Sequence, residues 1–176
     1  MSDRLFFALW PDEPLRVTLA GLIATLTSGF DGRWQRPDQW HVTLEFLGDV
    51  PPQRLASLHA AAGQVRLRPL SIAFDRVEHW RKPQVLCLAA SSVPDALADA
   101  VNQLRAALSR EGFSPDQRPF RPHVTLARKV RSAESTTFDQ PIVWRADRFA
   151  LVRSVTDPAG SRYEPLGWWN CVVEGG

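Results

Sequence analysis

The tetrapeptide His-Val-Thr-Leu occurs twice in this chain, at 41–44 and again at 123–126. The copies lie 82 residues apart in a chain of 176, close to half its length. Each copy has the composition of a β-strand, and each follows a helix-patterned segment. Residues two apart on a strand share a face. His41 and Thr43 therefore point one way, with Val42 and Leu44 behind them. His123 and Thr125 repeat the arrangement over Val124 and Leu126. A chain written this way is expected to form two pseudo-symmetric lobes, each burying an aliphatic pair and each offering an imidazole and a hydroxyl to a shared groove.

The rest of the chain fits such a plan. RLFFALW (4–10) is a dense apolar run closed by Pro11, which reads as a buried strand. From Glu13 to Ser28 the residues Leu15, Leu19, Leu22, Ile23 and Leu26 recur at helical spacing, and Gly29 closes the segment. The first motif strand runs from His41 to Leu47 and is stopped by Gly48. Pro51 and Pro52 open a helix to about Val65, with Leu55, Leu58, Ala61 and Ala62 on its stripe. Leu70–Trp80 and Val85–Ala90 read as strands around an RKPQ turn. Val93–Glu111 is the strongest helix, with Leu97, Val101, Leu104, Ala107 and Leu108 on one face and Gly112 as its stop. After the second motif, 142–155 and 162–173 supply the last strands. Strands in runs, broken by isolated helices, predict an α+β fold with largely antiparallel sheet, built as one bilobal domain over 1–176.

Composition narrows the function classes. An apolar fraction of 44% and a net charge of +2 describe an ordinary globular protein. Of 21 basic residues only Lys82 and Lys129 are lysine. Arginine forks suit phosphate and stack on bases. Cys87 and Cys171 have no CxxC spacing and sit in apolar runs, so free buried thiols are expected. The apolar run near the N-terminus is too short for a signal segment or a membrane span, which predicts a soluble, cytoplasmic, monomeric protein.

Two histidines across a groove suit a phosphodiester. One neutral imidazole can take a proton from water while the other, charged, gives a proton to the departing alkoxide. The threonines can donate to the non-bridging oxygens, where charge builds up. A zinc site formed by the two histidines with Glu45 competes weakly, for HExxH and HxH spacings are both missing. From Gln117 to Ala133 there is no acid, and Arg118, Arg121, Arg128, Lys129 and Arg131 supply five positive charges. Arg128 is the best phosphate clamp among them. Strict alternation puts it on the face opposite His123, so a bulge, twist or strand end must bring it round. Phe46 poses the same problem after His41, and stands either as core or as a platform for a nucleobase. His59 and His79 read as ordinary structural histidines.

The two stretches WHVTLEFLGDV and RPFRPHVTLARK resemble the paired HxTx motifs of the 2H phosphoesterase superfamily. The similarity is greatest to its RNA 2′,3′-cyclic phosphodiesterase branch, also called 2′-5′ RNA ligase-like. It extends to the opening RLFFALWP strand. The resemblance implies a bilobal α+β fold with one motif per lobe. It implies hydrolysis of RNA 2′,3′-cyclic phosphate ends to 2′-phosphomonoesters, with no metal and no cofactor. Carried over, His41 is the proton donor and His123 the proton acceptor. Thr43, Thr125 and Arg128 hold the phosphate, and Phe46 stacks on the base. Two other readings stay open: 2′-5′ RNA ligation in RNA repair, and a non-catalytic nucleotide- or RNA-binding module.

Overall fold

The computed structural model describes residues 2–26, 32–157 and 160–172. Its elements run β1 (Asp3–Leu9), α1 (Glu13–Leu26), β2 (Arg33–Trp34), β3 (Val42–Val50), α2 (Leu55–Gly63), β4 (Leu70–Trp80) and β5 (Val85–Ala89). They continue with α3 (Asp95–Arg110), β6 (His123–Arg128), β7 (Thr136–Ala146), β8 (Arg148–Asp157) and β9 (Gly160–Asn170). The expected order holds with three changes. The stretch 33–40, expected to be a loop, contains the short strand β2, which pairs with β6. The segment 142–155 is not one strand, because Asp147 divides it between β7 and β8. Gly48 does not stop the first motif strand. Its φ of 72° lets β3 bend and continue to Val50. The expected end of α1 at Ser28 and Gly29, and of the last strand at Val173, lies outside the described residues.

All strand pairings are antiparallel, and the sheet runs in the order β7-β4-β5-β6-β3-β1-β8-β9, with β2 also on β6. The two motif strands are therefore neighbours at its centre. They touch through one registered pair, Val42 with Val124. Outward from that seam, β6-β5-β4-β7 mirrors β3-β1-β8-β9. The second group comes from both chain ends and the first from the middle, so the duplication is not a simple division of the chain at its midpoint.

The helices and the main core share one face of the sheet. Leu5, Phe7 and Leu9 of β1 enter that core with Val42, Val124, Leu126 and the α3 face Leu97, Val101, Leu104, Ala107 and Leu108. The opposite face of β1 carries Phe6 and Ala8, which pack with Ala150 and Val152 beneath Trp10 and Tyr163. α3 ends in a Schellman turn: Phe113 N–H bonds Leu108 O, Gly112 N–H bonds Ser109 O, and Gly112 takes a φ of 76°. The cysteines are free; Cys87 is buried as expected, whereas Cys171 is half-buried. Among the described residues no helix is long and apolar enough to cross a membrane.

Candidate active site

The Val42–Val124 pair sets the geometry of the site. Both valines are fully buried on the core face. Their flanking residues must project to the other face. Antiparallel pairing then sets His41 on the side of Thr125 and Thr43 on the side of His123. The four motif side chains thus meet around a local two-fold axis, all of them half-buried.

Each imidazole is held in the same way. His41 Nδ1 lies 2.7 Å from Gln39 O, and His123 Nδ1 lies 2.8 Å from Arg121 O. A carbonyl oxygen only accepts, so Nδ1 carries the proton in both rings and Nε2 is left for chemistry. Gln39 is itself anchored, its Nε2 donating to Ser161 O at 2.6 Å and its Oε1 accepting from Arg36 N–H at 3.0 Å. Burial is the main cause that pushes His41 down to about 4, with the charges of His123 and Arg128 adding to it. Burial also lowers His123, helped by Arg121 and Arg128 and opposed by Glu78. Both shifts favour the neutral ring at neutral pH.

A bulge settles where Arg128 points. On β5, Cys87 and Leu86 are consecutive, but their β6 partners are Thr125 and Ala127. Leu126 is the extra residue, so Leu126 and Ala127 are both buried and the next side chain returns to the histidine face. That side chain is Arg128, and its charge acts on both histidines. Gln35 supports the irregularity. Its N–H bonds Leu126 O at 2.8 Å, and its Oε1 accepts from Arg128 Nε at 3.4 Å.

The first motif is bulged at the same place. Ala8 pairs with Thr43 and Phe7 with Glu45, leaving Leu44 as the extra residue. Leu44 and Glu45 are buried, and Phe46 emerges 50% exposed. Phe46 is therefore not core. One side of its ring is covered by Arg4, 4.9 Å from the centroid. It lines a cavity of about 590 Å³ together with Thr43, Trp80, Phe120, Arg121 and His123. That size suits a small ligand.

The basic cluster of 117–133 is less free than its sequence implies. Arg118 is bound by Asp116 and Arg121 by Glu78, at 2.5 and 2.9 Å. Glu45 makes a poor third ligand for a metal. Its carboxylate accepts from Arg105 Nε at 2.8 Å and from Asp116 N–H at 2.7 Å. Among the described residues no group of three metal-ligating side chains forms. His79 Nε2 donates to Val130 O at 2.9 Å, and His59 packs on Trp169, as structural histidines.

Several residues around the site were invisible in the sequence. Trp10 stacks on His41 at 5.4 Å and 9°, and Tyr163 meets the same ring edge-on at 5.2 Å. Trp80 lies 4.5 Å from His123. These aromatic residues come from β4, from β9 and from just beyond β1, and the strand order alone unites them. Gln35 and Glu78 carried no motif signal.

The sheet thus presents two capped imidazoles, two hydroxyls and a guanidinium on one face, about one local axis. Comparison with known proteins gives the family. The model of the LigT-like phosphoesterase family matches residues 9–87 and again 88–163, each match containing one motif. The chain belongs to this family. It is 31% identical to an Escherichia coli protein named RNA 2′,3′-cyclic phosphodiesterase, over 95% of this chain and 96% of that one. A Thermotoga maritima protein of the same name is 29% identical, over 98% and 97%. The crystal structure of E. coli LigT complexed with 3′-AMP superposes with a TM-score of 0.87 at 29% identity, over 98% of this chain and all of that one.

Proposed function

We propose that this chain hydrolyses 2′,3′-cyclic phosphate ends of RNA to 2′-phosphomonoesters, using its two histidines as acid and base. The observation that carries this reading is the Val42–Val124 seam, which brings two equally capped imidazoles to one face of the sheet. The names and bound 3′-AMP of its relatives support the substrate class.

His123, through Nε2, takes a proton from the attacking water. His41, through Nε2, gives a proton to O3′ as the P–O3′ bond breaks. Thr43 and Thr125 donate to the non-bridging oxygens, and Arg128 balances their charge. Burial keeps His41 neutral, so it needs the anionic phosphate to charge it. Binding of the substrate thereby arms the acid. Phe46 offers its exposed ring to the terminal base, with Trp80 and Phe120 across the cavity. Each proton transfer is expected to contribute about 10²–10⁴-fold. The chemistry is assigned to side chains alone and asks for no metal.

The test is to supply 2′,3′-cyclic nucleotides and short RNAs with cyclic ends, and to identify the product by phosphorus NMR. A 2′-phosphomonoester formed in the presence of EDTA is expected. A 3′-phosphomonoester, or activity lost to EDTA and restored by zinc, contradicts the reading.

A further inference from the structure

Two motifs identical in sequence have unequal surroundings. His41 is enclosed by the rings of Phe6, Trp10 and Tyr163, with centroids at 4.9, 5.4 and 5.2 Å. His123 has Trp80 at 4.5 Å, and behind Trp80 stands a carboxylate, Glu78. Glu78 Oε2 accepts from Trp80 Nε1 at 2.7 Å and from Arg121 Nη2 at 2.9 Å. Its other oxygen lies 3.9 Å from Arg76 Nη1. Register places it well: Glu78 pairs with Cys87, and Cys87 with Thr125, so the three form one row across β4, β5 and β6. Arg121 in turn gives the carbonyl that holds His123 Nδ1, and its guanidinium lies over the Trp80 ring at 5.2 Å.

We propose that Glu78 is a positioning residue for His123: its carboxylate fixes Trp80 and Arg121 around that imidazole and supplies a negative charge that favours the protonated form. This rests on the acid–base reading above and sharpens it. The two rings start as chemical equals, and the surroundings divide their labour. A base gains from a nearby carboxylate because the imidazolium it becomes is stabilised. An acid gains from an apolar enclosure because its proton is then held loosely.

Arg121 from the preceding loop and Arg128 from its own strand oppose protonation of His123, and Glu78 from β4 favours it. His41 faces it from the residue just before β3, and the two rings repel when charged. Of the other charged groups lining the cavity beside His123, Arg105 is paired with Glu45 and Arg118 with Asp116. Cys87 of β5 stays a neutral thiol, pushed up to about 12 by burial. The charge of Glu78 is therefore the counterweight to two arginines.

The experiment is an NMR titration of both imidazoles in the intact protein and in Glu78→Gln and Arg121→Gln, with turnover of a 2′,3′-cyclic nucleotide measured alongside. Glu78→Gln keeps the size and an acceptor but loses the charge. The His123 midpoint is expected to fall with that of His41 unmoved, and kcat to drop about tenfold. Arg121→Gln is expected to move the His123 midpoint the opposite way. Damage to the fold moves both histidines together and does not reverse sign. An unmoved His123 midpoint in Glu78→Gln, or equal movement of both rings, overturns the proposal. The titration reads the imidazoles and not turnover. Parental turnover in His41→Ala or His123→Ala therefore overturns the acid–base reading without touching the coupling of Glu78 to His123.

Discussion

Phe46 and Arg128 occupy equivalent places in the two motif strands. Each follows its histidine by five residues, and each is turned to the histidine face by a bulge at the intervening leucine. The pseudo-symmetric scaffold thus delivers different side chains to matching positions: a ring in one motif strand and a guanidinium in the other. Their replacements should separate in kinetics. Arg128→Ala is expected to lower kcat by about 10²-fold or more, since its charge acts where charge develops. Phe46→Ala should raise KM with kcat nearly unchanged, as expected for a contact made equally in ground and transition states. Steady-state kinetics on one cyclic nucleotide checks both.

Proton uptake should accompany ligand binding. His41 is pushed down to about 4 from an ordinary 6.5, chiefly through burial. A phosphate anion beside it favours the charged ring. Titration calorimetry of a 2′-nucleotide at pH 6, in buffers of different ionisation enthalpy, should show protons entering the complex. Binding heats independent of buffer contradict the arming of His41 by the anion.

The same shift fixes a sign for stability. A histidine lowered on folding binds fewer protons in the native state than in the unfolded chain between its two values. Stability therefore rises with pH across roughly 4 to 6.5, and is lost as pH falls through that window. His41→Ala should flatten that part of the curve, read from urea unfolding at several pH values.

The threonines are testable with an isosteric change. Thr43→Val and Thr125→Val keep the β-branch that the strand favours and remove the hydroxyl donor. Each is expected to lower kcat by about 10–10³-fold with the melting temperature nearly preserved. Circular dichroism beside the kinetics distinguishes this from a folding defect.

Glu45 carries a structural prediction. Its side chain is fully buried and joins Arg105 of α3 to the backbone of Asp116, at the foot of the loop that walls the Phe46 cavity. Removing one member of a buried pair strands the other, so Glu45→Ala should cost about 3–5 kcal/mol. Denaturant unfolding measures this, and Glu45→Gln should recover part of it.

Much of this architecture was legible because periodicity and motif agreed. The α3 stripe Leu97, Val101, Leu104, Ala107 and Leu108 is buried as its spacing requires, and the motif histidines fall on adjacent strands. The bulges were not legible, since HVTLE and HVTLA contain no glycine or proline to mark them. They were foreshadowed only by Arg128 and Phe46, whose expected roles and strand parity disagreed. Trp10 and Tyr163 are brought to His41 by sheet order, which is a long-range property. Asp147 was missed as a strand break because apolar residues, Trp144 and Phe149, continue on both sides of it.

The most direct test of the account is the turnover of His41→Ala and His123→Ala on a 2′,3′-cyclic nucleotide, in EDTA, with folding verified. Each variant is expected to lose about 10²–10⁴-fold in kcat while still binding a 2′-nucleotide. Near-parental turnover in either variant would contradict a reaction that hands one proton to the phosphodiester and takes another from water across the two motifs.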